Sequence, residues 1–159
     1  MKVTKVVIVG SQGRHWTPRQ RTEAVKRIRG ILQSHIRSIH GPYGSYPNPR
    51  SVLLVSGGCG ALGENRNQDF DGGVDVWAEI VADVLEIPKK IIYPDVHSWH
   101  DVTRGGKRLR GFYERNKSVA EEADIVYCID PAWRDWSGGM WTLNYAKGLE
   151  RETHLVLIE

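Results

Sequence analysis

Five short apolar runs punctuate the chain, at residues 3–9, 51–55, 90–93, 124–129 and 153–158. Each is rich in Val and Ile and nearly continuous, whereas a strand with one wet face alternates apolar and polar positions. The runs therefore predict strands covered on both faces. Between them the spacing becomes helical. Ala24, Val25, Ile28, Leu32 and Ile36 keep three- and four-residue intervals, and Thr17-Pro18-Arg19-Gln20 ahead of them reads as a capping box with proline at the first helical position. Val76, Ile80, Val81 and Val84 mark a second helix that ends before Ile87-Pro88. Residues 112–123 and 140–149 supply a third and a fourth. Strand–helix alternation of this kind predicts one α/β domain over residues 1–159. The expected architecture is a Rossmann-like three-layer fold around a five-stranded parallel sheet, in the order 3-2-1-4-5, with a topological switch point between strands 1 and 4.

Two connections exceed what such a fold needs. Residues 40–50 are rich in Pro, Gly and Tyr and read as a surface excursion. Residues 60–73 leave the carboxyl end of the second strand, on the side where ligands bind in open parallel sheets. Three loops at those ends are glycine-rich: Gly10-Ser11-Gln12-Gly13, Ser56-Gly57-Gly58-Cys59-Gly60, and Ser137-Gly138-Gly139-Met140-Trp141-Thr142. Helices that start there present unpaired N–H groups and a positive dipole end. Glycine lets an anion approach the backbone, and a neighbouring hydroxyl adds a donor. One such loop can be a plain turn, but three on one edge favour a phosphate-bearing ligand. None is a P-loop, because the Gly-Lys-Ser/Thr ending is missing, and the first is not Gly-x-Gly-x-x-Gly.

Composition narrows the classes. Charged residues make up 26% of the chain and hydrophobic ones 40%, as in soluble globular domains. No apolar run reaches the roughly 18 to 20 residues of a membrane span. The apolar start runs into Gly10-Ser11 and a basic helix without a small-residue cleavage site, so it reads as a strand, and a cytoplasmic protein is expected. Cys59 and Cys128 lie far apart without Cys-x-x-Cys spacing, which points to neither a disulfide framework nor a zinc site. The net charge is +3, unevenly spread. Arg14, Arg19, Arg21, Lys26, Arg27 and Arg29 crowd the first helix, and Lys107, Arg108, Arg110, Arg115 and Lys117 a later stretch. These are solvated helix faces or a positive field around a nucleotide or a nucleic-acid backbone.

The order Gly10-Ser11, Ser56-Gly57-Gly58, Gly73-Val74-Asp75-Val76-Trp77-Ala78, Arg115-Asn116, Glu121-Glu122-Ala123-Asp124 and Ser137-Gly138-Gly139-x-x-Thr142 resembles the SLOG superfamily. Its YspA-type branch is the nearest match, over almost the whole chain. The resemblance implies a Rossmann-like fold that binds nucleotides, nucleotide-sugars or their derivatives, or single-stranded DNA as in the DNA-processing branch, and that pairs into homodimers or larger homo-oligomers. The segment Ser137 to Thr142 aligns with the Pro-Gly-Gly-x-Gly-Thr phosphate loop of Lonely Guy enzymes, which cleave the N-glycosidic bond of nucleoside monophosphates. Their motif continues to a catalytic glutamate; here that position is Tyr145. A phenol with a pKa of roughly 10 is a poor general base at neutral pH. The resemblance thus implies phosphate binding more than this hydrolysis.

The candidate ligand contacts are Gly10, Ser11, Ser56, Gly57, Gly58, Arg115, Asn116, Ser137, Gly138, Gly139 and Thr142, with Arg115 as the phosphate or carboxylate clamp that the resemblance implies. Asp75 opens the second helix and is the candidate acid/base or ribose-binding carboxylate; a charge placed to suit the helix dipole is the plainer alternative. Trp99, Trp133, Trp136 and Trp141 surround the glycine loops, and at least one is expected to line the pocket and stack on a base. Cys59 reads as packing in a tight loop. The stretch from Asn67 departs from the calcium-loop pattern at its first and twelfth positions, and His97, His100, Asp95 and Asp101 fit no standard zinc spacing, so no metal or obligatory cofactor is expected. Three readings remain: a nucleotide-binding domain, an N-glycosidase or phosphoribohydrolase using Asp75, and a single-stranded nucleic-acid module.

Overall fold

The computed structural model describes residues 2–58 and 72–159. The chain runs β1 (Thr4–Gly10), α1 (Pro18–His35), β2 (Arg37–Gly41), β3 (Gly44–Asn48), β4 (Val52–Ser56), α2 (Val74–Val84) and β5 (Lys89–Ile91). It continues through β6 (Val102–Arg104), β7 (Lys107–Leu109), α3 (Phe112–Glu122), β8 (Ile125–Pro131), α4 (Gly138–Gly148) and β9 (Glu152–Ile158). Five strands form one parallel sheet in the order β5-β4-β1-β8-β9. With the two hairpins set aside, these strands stand third, second, first, fourth, fifth in chain order. The crossover direction reverses beside β1, and the cleft between its carboxyl end and that of β8 is where such sheets bind ligands.

The unbroken apolar runs follow from burial on both faces. Val6 and Ile8 of β1 join Val52 and Leu54 of β4 in a core with Ala24, Ile28 and Leu32 of α1 and Trp77, Ala78 and Val81 of α2. Val7 and Val9 point the other way, into a second core with Val55, Val126, Val119 of α3, and Leu143 and Ala146 of α4. The side-chain period of two thus serves two hydrophobic layers. The capping box forms as expected, with Thr17 Oγ1 accepting from Gln20 N at 3.2 Å and Gln20 Oε1 accepting from Thr17 N at 3.2 Å.

Two features were not legible in the runs. The excursion after α1 is an antiparallel hairpin, β2 with β3, whose tip residue Tyr43 is fully exposed. The basic stretch ahead of α3 is a second hairpin, β6 with β7, turning at Gly105 and Gly106. The outermost strand, β9, also departs from full coverage, with Leu155 and Leu157 exposed. No helix among the described residues is long and apolar enough to cross a membrane. Cys59 and most of the long glycine-rich loop, including the stretch from Asn67 to Asp71, lie outside the described residues.

One contact fixes how α4 enters the sheet. A Cβ on Gly139 would lie 2.6 Å from Gly10 N and 2.7 Å from its Cα, and a Cβ on Gly10 would lie 2.0 Å from Ile129 O. Both obstacles are backbone atoms that cannot step aside. Helix α4 and β1 touch only because Gly139 carries no side chain, and β1 passes β8 and the start of α2 this closely only because Gly10 carries none. Gly10→Ala is therefore expected to destabilise the fold by about 2–3 kcal/mol or to prevent folding. Gly30, in α1, has no atom within 4 Å of its would-be Cβ, and Gly30→Ala should stabilise by roughly 0.4–1 kcal/mol. Urea denaturation of the two variants against the parent checks both signs.

Candidate functional site

At the carboxyl ends of β1 and β8 lies a cleft of about 220 Å³. Val9 and Gly10 come to it from β1, Ser137, Gly138, Gly139 and Thr142 from the start of α4, and Asp75 from the first turn of α2. Phe112, Arg115 and Asn116 come from the first turns of α3. Three helices thus begin at one opening, each bringing N–H groups that have no intrahelical acceptor. Ser11, Gln12, Arg14 and His15 complete the lining from the loop after β1, with Arg134 from the loop after β8 and Trp99 from the segment before β6.

Below the lining sits a residue that the motifs did not single out. Asp130 of β8 is 1% exposed. Its Oδ1 accepts the Ser11 hydroxyl at 2.7 Å, and its Oδ2 accepts the Ser137 hydroxyl at 2.7 Å and the Cys128 thiol at 3.5 Å. One carboxylate therefore ties the loop after β1 to the cap of α4. Both serine protons are spent on it, and Ser137 Oγ in turn accepts from Met140 N at 3.1 Å. Ser11 and Ser137, expected as ligand contacts, both line the cleft, with their hydroxyl protons directed to Asp130. Thr142 is similarly engaged, its hydroxyl donating to Gly138 O at 3.1 Å. Burial, with Asp130 alongside, holds the Cys128 thiol far above its ordinary range, so it behaves as packing.

The loop after β1 is held from its other side too. Ser11 O accepts from the Trp16 indole at 3.1 Å and from Val74 N at 3.3 Å. Gly73, the residue before α2, has φ +74, and a Cβ there would sit 2.3 Å from the same Ser11 O. The first glycine loop and the start of α2 are consequently one unit.

The second glycine loop has a different role from the one expected. Ser56, Gly57 and Gly58 do not line the cleft. Gly57 O accepts from Arg115 Nη1, and the Ser56 hydroxyl serves the Glu79 carboxyl and the Gly58 amide. The reason is steric: Arg115, only 7% exposed, occupies the space over Gly57, where a Cβ would meet its guanidinium at 2.7 Å. Arg115 Nε donates to Asn116 Oδ1 at 2.8 Å, and the guanidinium carbon lies 5.2 Å from the centre of the Phe112 ring. The loop is thus a seat for the arginine. Gly139 lines the cleft, and its missing side chain also makes room for β1.

Asp75 is half-buried, opening to the cleft but hemmed in by protein atoms. That burial pushes its carboxyl up to about 7, against the pull of Arg115 and a hydrogen bond from the Gly10 backbone, with Glu79 and Asp130 adding to the rise. His15 is shifted down, first by burial and then by Arg134 and Arg14, with Asp130 opposing. Its Nε2 accepts from Arg14 Nε at 3.2 Å. Tyr145 is not in the lining. Its hydroxyl donates to Glu121 Oε1 at 3.2 Å and its ring stacks on Trp141 at 5.4 Å. Among the described residues no group of three or more His, Cys, Asp or Glu side chains is arranged to hold a metal ion.

Arg14, His15, Arg134 and Asp130 are the contributors that motif reading passed over. A carboxylate closing a buried strand at the ligand edge was the available signal for Asp130. The chain matches no protein-family model, no curated protein sequence and no solved structure.

Asp75 gives a pH signature. Its pKa in the folded protein, about 7, lies above the ordinary carboxylate value. Between about pH 4 and 7 the folded protein keeps a proton that the unfolded chain has lost, so this group's contribution to stability declines as pH rises through that window. Asp75→Asn removes the decline. The variant should melt above the parent at pH 8 and together with it near pH 4, as read from calorimetric melting temperatures; a constant offset at every pH contradicts the shift.

Proposed function

We propose that the protein binds a phosphate-bearing small molecule, a nucleotide or a phosphoribosyl-type derivative, in the cleft beside β1 and β8. The observation that carries this reading is the convergence of three helix N-termini and the Arg115 guanidinium on one opening. Each N-terminus acts as roughly half a positive charge; Val74 N of α2 and Phe112 N and Tyr113 N of α3 already donate to Ser11 O, Ser98 O and Trp99 O, so the amides suited to an oxyanion are those that open α4. In α4 the first intrahelical bond runs from Trp141 N to Ser137 O, so the Gly138 and Gly139 amides precede the helical ladder. Arg14 and Arg134 add positive charge to the lining. The resemblance of the glycine loops to SLOG proteins supports the same reading.

A second reading has one specific observation in its favour. Asp75 stands in the cleft with a pKa of about 7, the value at which a carboxyl can both take and give a proton at neutral pH. In an N-glycosidase it would take the proton of the water that adds to the sugar carbon as the base departs. Tyr145 lies out of the lining, and among the described lining residues Asp75 is the carboxyl for that role.

Thermal shift against inorganic phosphate, AMP and ADP-ribose tests the binding reading. A ligand at a hundredfold excess over its Kd should raise the melting temperature by roughly 5–10 °C. Gly138 is the site for a disabling substitution, because its would-be Cβ meets nothing within 4 Å. Gly138→Val should leave the melting temperature of the free protein within a few degrees, yet crowd the ligand and weaken binding at least about tenfold. No shift with any of the three compounds would sink the proposal. Incubation with AMP should release little or no free adenine; sustained release that Asp75→Asn abolishes establishes the hydrolase instead.

A further inference from the structure

We infer that Trp99 is a stacking platform for a heterocyclic base, so that the cleft takes a nucleoside monophosphate in preference to a bare sugar phosphate. The inference rests on the phosphate-binding reading and adds the second half of the ligand. The rest of the lining is dominated by glycine backbone, hydroxyls, carboxyl and guanidinium groups, which suit phosphate and sugar oxygens. Among the described residues three aromatic rings interrupt it, His15, Phe112 and Trp99, and the His15 imidazole is engaged by Arg14 and tilted against Trp133 at 6.1 Å. Phe112 is already engaged, with the Arg115 guanidinium 5.2 Å from its centroid and His97 tilted against it at 5.4 Å. Trp99 is half-buried and borders the cleft.

Its position is fixed in advance. Trp99 O accepts from Tyr113 N at 2.8 Å and Ser98 O from Phe112 N at 2.8 Å, which pins the segment to the start of α3. Gly111 permits this approach: a Cβ there would lie 2.4 Å from Ser98 O and 2.5 Å from His100 O. The indole is steered by Tyr113 at 5.9 Å and 70° and by Trp141 at 5.5 Å and 88°. Both contacts are near-perpendicular, so they set its tilt without stacking parallel on it. A platform held this way loses little freedom when a ring settles on it. The cleft, at about 220 Å³, falls below the roughly 300–1,000 Å³ of sites that enclose drug-sized ligands. It suits a mononucleotide better than a dinucleotide.

Stacking is tolerant of base identity because every base has a π-face. All four nucleoside monophosphates should therefore bind, the purines tighter through their larger overlap. Calorimetric titration of the full chain with AMP, GMP, CMP, UMP and ribose 5-phosphate tests this. AMP should bind about tenfold to a hundredfold tighter than ribose 5-phosphate. Trp99→Ala should erase that advantage, and Trp99→Phe should keep most of it. Equal affinity of AMP and ribose 5-phosphate for the parent protein overturns the platform while leaving phosphate binding in place. A Trp99→Ala that weakens both ligands by the same factor, or a Trp99→Phe that behaves as the alanine variant, also overturns it. If neither ligand binds the parent, the phosphate-binding reading fails and the platform falls with it.

Discussion

The Asp130 carboxylate, shared between the Ser11 and Ser137 hydroxyls at 2.7 Å each, is the interaction on which the cleft depends. It lies at the end of a central strand, where a charge could not survive burial without donors on both oxygens. The two hydroxyls belong to segments more than a hundred residues apart in sequence, one following β1 and one capping α4. Each donation ties one of them to β8. With Gly10 packed on Gly139 directly above, the three segments have no room to move independently. The cradle is thereby organised before any ligand arrives, which is what lets backbone amides act as fixed dipoles.

A second carboxylate, Asp75, lines the cleft itself. Asp75 receives a hydrogen bond from the Gly10 backbone and the field of Arg115, yet burial outweighs both and its pKa rises to about 7. Donors saturate Asp130; Asp75 is left poised to titrate. An arriving anion would meet Arg115, itself held against Gly57 O and Asn116, and the balance of charge around Asp75 would shift with it.

Much of the architecture was legible in the sequence because the two hydrophobic layers force Val and Ile at consecutive positions of β1, β4 and β8. The cap of α1 was legible because Thr17, Pro18 and Gln20 are a local device. The hairpins were not, since β2 and β3 are largely exposed and carry little apolar patterning. Of the three glycine loops, the first and the third line the cleft and Ser56 to Gly58 do not. What a motif could not carry was direction. Nothing local to Ser137 says that its proton goes inward to Asp130, or that Gly57 faces an arginine from α3. Those assignments depend on contacts between distant segments, as does the burial that shifts Asp75.

The central claim is that Asp130 holds the cradle together, and amide hydrogen exchange in Asp130→Asn tests it most directly. An asparagine has one acceptor oxygen where the carboxylate has two, so one serine hydroxyl can no longer donate as it does to Asp130. The amides to follow are Met140 N, bonded to Ser137 Oγ at 3.1 Å, and Val74 N, bonded to Ser11 O at 3.3 Å. Both should exchange markedly faster in the variant, while amides of Val7 and Val126 within the sheet keep their protection. Unchanged exchange at Met140 and Val74, or an equal acceleration across the sheet, would contradict the account.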